Sequence, residues 1–451
     1  MKTYKKLKFV GFSNIESWSA YSILEKRLRF SNKYKLVKIK TFLSRNKTSI
    51  KIEDNNYYKR PTIRINGAGI SLRDKVKGEK IGTKSQFLIK KGQFLLSKID
   101  ARNGAFGVVP EELEGGVITG NFWTFDVNYN VINPYFLQLI TKTKQFQDLS
   151  QSASVGTTNR NYLQEESFLN FSIPLPPLSD QETIVKNYCD KITQATTYEQ
   201  QAETLEKKIE SYLFESLGIE QKIEQKTKKK GLQFVEFYKM DFWGVDYNFS
   251  SSDKFFESVK FENTKLKNVA LINPITYFPN DGNLSISFIP MECISDKEGK
   301  VIEQRERLIK ESKGYTKFQN GDLIWARITP CMQNGKSAIV SNLKNGYGVG
   351  STEYHVIRQK NTEVELKYIY NILRMNAVLQ KAMSFFTGSA GQQRVPRTFL
   401  EELTIPIPPK ETQQAIINQI DTYKNEIKIL RERATLLKQQ AEQEFEQTIF
   451  S

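Results

Sequence analysis

Short apolar runs alternate with turn residues along two long stretches of the chain. The runs are rich in Val, Ile, Phe and Tyr and are separated by Gly, Asn or Pro, which is the pattern of β-strands joined by turns. The clearest runs cover residues 87–89, 94–99, 106–109, 285–289 and 322–328. A longer apolar pattern predicts a helix over residues 134–147, with a counterpart over residues 366–383. We therefore predict a mixed α/β fold with a substantial sheet.

Two other segments carry apolar residues at alternating spacings of three and four, which is typical of a coiled-coil seam. The seam positions are Tyr198, Ala202, Leu205, Ile209 and Tyr212 in the first segment, and Ile420, Tyr423, Ile427, Leu430, Ala434, Leu437, Ala441 and Phe445 in the second. Each helix could instead lie on its own domain, but two matching seams favour pairing. Because the chain reverses between them, we expect an antiparallel pair. The first helix should end near Leu217, where Gly218 can serve as a C-terminal cap.

The chain repeats itself at an offset of 232 residues. The segment Ile-Pro-Leu-Pro-Pro at 173–177 returns as Ile-Pro-Ile-Pro-Pro at 405–409, and Gln181 aligns with Gln413. Further upstream, Lys-Gly-Gln-Phe-Leu-Leu-Ser-Lys at 91–98 parallels Asn-Gly-Asp-Leu-Ile-Trp-Ala-Arg at 320–327. This period is too long for a solenoid, so it indicates a duplicated domain with an approximate two-fold internal repeat.

The proline motifs mark the ends of the two globular domains, because proline removes backbone donors and favours extended geometry before it. We predict domains at 1–178 and 233–409, with a central helix and linker at 179–232 and a C-terminal helix at 410–451. Trp18 and Trp243 stand near the starts of the two copies. After the first motif, Ser179 and Glu182 fit a capping box, whereas Thr412 gives a weaker cap after the second.

The charge of the chain gives a first indication of its function. The 451 residues include 66 Lys and Arg against 50 Asp and Glu, a net charge of +16, which favours a polyanionic partner such as nucleic acid. A cationic but otherwise ordinary surface is the alternative. Three scattered cysteines, with neither a signal-peptide pattern nor an apolar run of membrane-spanning length, predict a cytoplasmic protein that does not act at a membrane.

No catalytic motif stands out in the sequence. His355 is the single histidine, and no Cys/His cluster or Walker A motif is present. The Pro-Pro pairs lack the acidic or amide residue and the aromatic residue of an adenine methyltransferase motif. We expect a binding protein without a metal or cofactor of its own.

The domain–helix–domain–helix plan resembles the specificity subunit of bacterial type I restriction-modification systems over essentially the whole chain. The resemblance is carried by the first proline motif with its following Leu-Ser-Asp-Gln, by the turns at 91–95 and 320–324, and by the loops at 156–163 and 388–395. The second proline motif departs from the pattern at 410–412.

The resemblance implies two similar target-recognition domains separated by two long helices that form an antiparallel coiled coil. Each domain would read one half of a split site in double-stranded DNA. The helices would dock two methyltransferase subunits that carry S-adenosylmethionine, and restriction subunits could join them. Two alternatives remain open: the recognition subunit of a combined methyltransferase-nuclease, and a stand-alone DNA-binding protein.

Candidate DNA-reading residues lie at and after the two corresponding strands that end in Lys98 and Arg327, and in the two related loops at 156–163 and 388–395. Arg and Lys suit guanine edges, while Asn and Gln suit adenine edges, although each could instead contact phosphate. The candidates of the first copy are Lys98, Arg102, Asn103, Arg160 and Asn161, and those of the second copy are Arg327, Gln333, Asn334, Gln392, Gln393 and Arg394.

Overall fold

A computed structural model describes residues 33–157, 160–220, 234, 236–237, 256–388 and 392–450. Trp18 and Trp243 lie outside the described residues. The chain forms two compact units: unit 1 is residues 1–198 with 432–451, and unit 2 is residues 199–431. The predicted domain bounds at 178, 232 and 409 stay predictions.

Unit 1 combines small antiparallel sheets with short helices. Its strands are β1 (Leu36–Lys38), β2 (Leu43–Asn46), β3 (Ser49–Lys51), β4 (Tyr57–Ile63), β5 (Ile70–Lys77), β6 (Ser85–Ile89), β7 (Phe94–Ser97), β8 (Phe106–Val108), β9 (Gly116–Ile118), β10 (Phe122–Val127), β11 (Ser154–Thr157), β12 (Arg160–Leu163) and β13 (Ser172–Pro174). Its helices are α1 (Pro134–Lys142), α2 (Lys144–Ser152), α3 (Glu165–Asn170) and the first part of α4 (Leu178–Leu217). The central sheet has the order β2-β10-β7-β8. It packs against α1 and α2 through a core rich in phenylalanine, where Phe106 meets Phe146 edge-on at 5.6 Å between ring centres.

Unit 2 repeats the central four-stranded sheet of unit 1 and has a second four-stranded sheet. Its strands are β14 (Glu262–Lys265), β15 (Ala270–Ile272), β16 (Ser285–Ile289), β17 (Ile294–Ser295), β18 (Lys300–Val301), β19 (Arg305–Leu308), β20 (Thr316–Gln319), β21 (Leu323–Ala326), β22 (Ser337–Ile339), β23 (Tyr347–Gly350), β24 (Tyr354–Gln359) and β25 (Thr404–Ile407). Its helices are the rest of α4, α5 (Leu266–Val269), α6 (Leu366–Leu373), α7 (Asn376–Ser384), α8 (Arg397–Glu402) and the first part of α9 (Lys410–Phe450). This second sheet has the order β19-β16-β23-β20, in which β16 and β23 run parallel, and unit 1 has the three-stranded sheet β3-β6-β9 in its place.

The sheet orders confirm the predicted internal repeat. The sheet β15-β24-β21-β22 has the same order as β2-β10-β7-β8, and β14 pairs with β25 as β1 pairs with β13. Each apolar run predicted as a strand overlaps one of β6, β7, β8, β16 and β21, although the runs at 94–99, 106–109 and 322–328 extend past the ends of their strands. The mixed α/β prediction is therefore confirmed.

A buried glutamine makes the same three hydrogen bonds in both copies. The Gln181 side chain accepts from Asn133 N at 2.8 Å and donates to the carbonyls of Val131 at 3.1 Å and Pro176 at 2.9 Å. In the second copy, Gln413 bonds to the corresponding backbone groups.

Gln413 accepts from Glu365 N at 2.9 Å and donates to the carbonyls of Glu363 at 3.0 Å and Pro408 at 2.9 Å. Each partner lies 232 residues after its equivalent in the first copy. Both glutamines are fully buried, so these bonds satisfy polar groups that water cannot reach.

Two local predictions were wrong. The helix predicted over 134–147 is broken at Thr143, which ends α1 and whose hydroxyl accepts from Phe146 N to begin α2. The counterpart over 366–383 is likewise divided into α6 and α7. A side-chain cap inside an apolar pattern interrupts a helix without interrupting its hydrophobic spacing.

The predicted helix caps were also wrong. Helix α4 begins at Leu178 and α9 at Lys410, so Ser179 and Thr412 lie inside the first turns. The carbonyl of Pro177 accepts from the backbone N–H groups of Asp180 and Gln181. These helices therefore start directly from the proline motif.

The two long helices pair antiparallel, as predicted. In unit 1, Lys191 bonds Glu444 at 2.6 Å, and Tyr188 meets the Phe445 ring. In unit 2, Arg431 bonds Glu206 at 2.8 Å, and the Tyr212 and Tyr423 rings are 6.0 Å apart. In each unit, residue numbers increase along α4 in the direction in which they decrease along α9, so the two helices run antiparallel.

The seam and the end of α4 are also confirmed. Seam residues such as Ala202, Ile420 and Ala434 are buried. Helix α4 ends at Leu217 with Gly218 in the left-handed conformation, and Ile219 N bonds back to the carbonyl of Phe214, as in a Schellman motif. Within the part of the chain that the structure describes, no helix has the length and apolar character needed to cross a membrane.

Candidate nucleic-acid interface

In unit 2 the structure brings the two predicted reading loops together. Strand β21 ends before Arg327, whose carbonyl accepts from Val395 N at 2.8 Å. Thr329 N then donates to the carbonyl of Gln393 at 3.0 Å. These backbone bonds join the loop after β21 to the segment at 392–395, although the two are far apart in sequence. The candidates from both loops therefore belong to one surface.

A carboxylate that sequence reasoning missed lies between the two arginines of this surface. Glu353 accepts from Arg394 Nη2 at 2.7 Å and Nε at 2.9 Å, and from Arg327 Nε at 3.2 Å. The hydrogen bonds from Arg394, and after them those from Arg327, hold the pKa of Glu353 below its ordinary value. The trio keeps one net positive charge with both guanidinium groups fixed in position. No feature of the surrounding Gly-Ser-Thr-Glu-Tyr sequence indicates this role.

The loop after Arg327 presents its polar side chains outward. Gln333 and Asn334 are exposed, and Asn334 N donates to the carbonyl of Pro330 at 3.1 Å. The turn closes at Gly335 in the left-handed conformation, where Arg374 Nη1 donates to its carbonyl at 2.5 Å. Gln392 is also exposed, whereas Gln393 is half-buried. These side chains are therefore placed on a fixed backbone.

Unit 1 has the same frame with different side chains. Leu163 N donates to the carbonyl of Lys98 at 3.0 Å, which is the equivalent of the bond between Val395 and Arg327. The Lys98 ammonium lies 5.9 Å from the centre of the Trp123 ring and 5.8 Å from that of Tyr162. Two aromatic rings therefore position this cation, whereas a carboxylate positions Arg327.

The remaining candidates of unit 1 lie on a short turn and a hairpin. Arg102 and Asn103 belong to a 3-10 turn in which Arg102 is half-buried and Asn103 exposed. The Asn103 side chain contacts Asp100 at 3.4 Å, and its carbonyl accepts from Asn66 N at 2.7 Å. Arg160 and Asn161 lie in β12, which pairs with β11, but their side chains lie outside the described residues. That any of these residues contacts a base stays a prediction.

His355 is a buried residue that bonds to the backbone of this surface. It is buried in β24, with Nε2 2.9 Å from the carbonyl of Val395 and Nδ1 3.0 Å from the Asn273 side-chain amide. Burial lowers the pKa of His355 to about 4, so the ring is neutral near pH 7. Nε2 thereby ties β24 to the segment that carries Arg394, and Nδ1 ties β24 to Asn273, which follows β15. Among the residues with described structure, no group of three or more His, Cys, Asp and Glu could hold a metal ion.

The fold and this surface define a class of protein. It has a duplicated α/β domain with a polar, cationic surface, and each copy ends in one helix of an antiparallel pair. The sequence matches the family described as the type I restriction modification DNA specificity domain twice, over residues 31–210 and 258–439. These matches cover most of the chain, which therefore belongs to that family.

Individual relatives agree with this assignment. The chain is 42% identical over 153 residues to the specificity subunit of type I restriction enzyme EcoEI from Escherichia coli, and 45% identical over 158 residues to that of EcoAI from the same species. These stretches are 34% and 35% of this chain but only 26% and 27% of the relatives.

A solved structure has a similar fold. It comes from work on complex assembly and conformational transition of the type I R-M system, and it matches with a TM-score of 0.57. The match covers 93% of this chain and 98% of that one, at 14% sequence identity.

Proposed function

We propose that this chain is the DNA-sequence-recognising subunit of a type I restriction-modification complex, in which each unit reads one half of a split site. The observation that carries the proposal is the frame repeated in both units. In each, the same backbone hydrogen bond places a cation, Lys98 or Arg327, at the end of the equivalent strand. In the loops that follow or bond to these strand ends, Asn103 of unit 1 and Gln333, Asn334 and Gln392 of unit 2 are exposed, and such side chains suit base edges. Different side chains on one frame suit two different half-sites.

In this proposal, partner subunits carry out the catalysis. Two methyltransferase subunits would dock on the paired helices and bring S-adenosylmethionine, and restriction subunits could join the complex. The chain itself would be non-catalytic. Its one histidine is buried, and both ring nitrogens are engaged by other groups.

A domain exchange tests the proposal. Replacing residues 1–178 by the equivalent domain of a relative, in cells that also express the cognate methyltransferase, should change one half of the methylated motif and leave the other half intact. Methylome sequencing reads both halves at once. A motif in which both halves change together would contradict the modular assignment.

A second experiment tests the division of labour. The purified chain should methylate no DNA when S-adenosylmethionine is supplied without the methyltransferase, whereas the co-purified complex should methylate adenine. Methyl transfer by the chain alone, in a preparation shown by mass spectrometry to be free of partner, would overturn the non-catalytic assignment.

A further inference from the structure

A cleft of about 760 Å³ opens in unit 2 beside Arg327. It is lined by the loop at 273–280, which follows β15, and by Thr316 and Lys317 from β20. The charged residues among those that line the cleft are Lys317 and Arg327, both of them cations. Glu353 pairs with Arg327 but does not line the cleft, and its trio with Arg327 and Arg394 keeps one positive charge, so the opening favours an anionic occupant.

The loop is held rigidly at its base. Asn273 begins it in the left-handed conformation, and its side chain accepts from Val356 N at 2.9 Å. Three residues of the loop and sheet then form a chain of bonds: Arg358 binds Asp322 through two hydrogen bonds of 2.7 and 2.8 Å and donates to Thr276 Oγ1 at 2.8 Å. Pro274 at the start and Pro279 near the end further limit its freedom.

The side chains on either side of this anchor project into solvent. Ile275 is 73% exposed and Tyr277 is 79% exposed, whereas Thr276 between them is buried. Phe278 packs edge-on to Tyr347 with ring centres 5.4 Å apart, and the Lys317 ammonium lies 4.7 Å from its ring centre. A rigid loop that holds an isoleucine and a tyrosine in water, beside two cations, is suited to a partner with both negative charge and flat apolar faces. Duplex DNA has both, because its stacked bases lie between phosphates.

We propose that Tyr277, with Ile275 beside it, inserts as a wedge between base pairs of the half-site that unit 2 reads, while Lys317 and Arg327 bind the adjacent phosphates. This inference rests on the proposed DNA-reading function and adds a specific contact to it. At the equivalent turn of the first copy, which the structure describes, the residues are polar. In unit 1 the equivalent strand β2 leads into the polar turn Asn46-Lys47-Thr48, where Thr48 N donates to the Asn46 side chain at 3.0 Å.

The test uses the full chain co-purified with its methyltransferase and a duplex carrying the motif read from the methylome. Tyr277→Ala should lower affinity for this duplex about ten-fold, the loss expected when one stacking side chain is removed. Permanganate reactivity of thymines in the second half-site, which reports unstacked bases, should fall to the level of free DNA. Tyr277→Phe should keep both properties, because it retains the ring.

The control is Ile302→Ala. Ile302 is an isoleucine of the same unit that is 59% exposed and does not line the cleft. It should leave affinity and reactivity unchanged. Because Tyr277 is exposed and the loop is anchored through its neighbours, the thermal unfolding temperature of Tyr277→Ala should match that of the wild type.

Other outcomes separate the two proposals. If Tyr277→Ala binds and unstacks the duplex like the wild type, the wedge is overturned while the reading function stands. If it binds DNA normally but no longer co-purifies with the methyltransferase, the occupant of this loop is a protein and the wedge is again overturned. If the wild-type complex prefers no DNA sequence, the proposed function itself fails.

Discussion

The buried glutamine that each copy repeats permits a quantitative test of the duplication. Replacing Gln413 by alanine removes three hydrogen bonds at once, to Glu365 N and to the carbonyls of Glu363 and Pro408. A typical hydrogen bond contributes about 1 kcal/mol net, and a buried polar group left without a partner costs about 1–3 kcal/mol. We therefore expect Gln413→Ala to lower the free energy of unfolding of unit 2 by about 3–5 kcal/mol.

The matched variants are defined by the same geometry. Gln414→Ala changes the neighbouring residue, which is exposed and bonds only to Asn418 among the contacts described, so it should cost less than about 0.5 kcal/mol. Gln181→Ala removes the equivalent three bonds in the first copy, and its cost should fall on unit 1.

Hydrogen exchange of the full chain, read by mass spectrometry, assigns each loss to its unit. The amide of Glu365 should lose protection in Gln413→Ala, and the amide of Asn133 should lose it in Gln181→Ala, because each donates to the side chain that is removed. Urea unfolding supplies the magnitude. A loss below 1 kcal/mol for Gln413→Ala, or unchanged protection at Glu365, would refute the reasoning.

Three further predictions concern the reading surface and the helices. Burial lowers the pKa of His355 to about 4, whereas an unfolded histidine has a pKa of about 6.5. The neutral ring therefore contributes its full stabilisation above pH 6.5, and this contribution is lost as the pH falls toward 4. The free energy of unfolding of unit 2 should fall by about 2 kcal/mol between pH 7.5 and pH 5. Urea unfolding at both values checks this, and the same slope in His355→Gln would contradict it. Glu353→Gln removes the anion between Arg327 and Arg394, so binding to non-specific DNA should tighten and its salt dependence should steepen by up to about 0.9 in log–log slope. Weaker non-specific binding in a salt titration would contradict that account. Under the proposed function, inserting four residues after Ala202 lengthens the helix by ~6 Å and should favour a spacer longer by about one or two base pairs with unchanged half-sites. An unchanged spacer in the methylome of an active insertion variant would show that the helices do not set the distance.

The sequence by itself determined the duplication and the helices. The 232-residue offset, the proline motifs and the alternating seam follow from backbone rules that act within a few residues, so they could be read before any contact was known. The strand ends at Lys98 and Arg327 were identified for the same reason, because a turn, an apolar run and a terminal base form a local pattern. The break between α1 and α2 at Thr143 was not identified from the sequence, because a side-chain cap leaves the apolar spacing intact.

Only the tertiary structure decided how the candidate residues meet. Glu353 lies 26 residues from Arg327 and 41 from Arg394, and strand pairing of β21 with β24 and the bond from Val395 bring all three together. The loop at 273–280 and Arg327 line one cleft for the same reason, because β15 and β21 pair with opposite edges of β24. Such contacts depend on which strands become neighbours in a sheet, and no local periodicity encodes that choice. The side chains were visible in the sequence, but their electrostatic pairing and exposure arise when distant strands fold side by side.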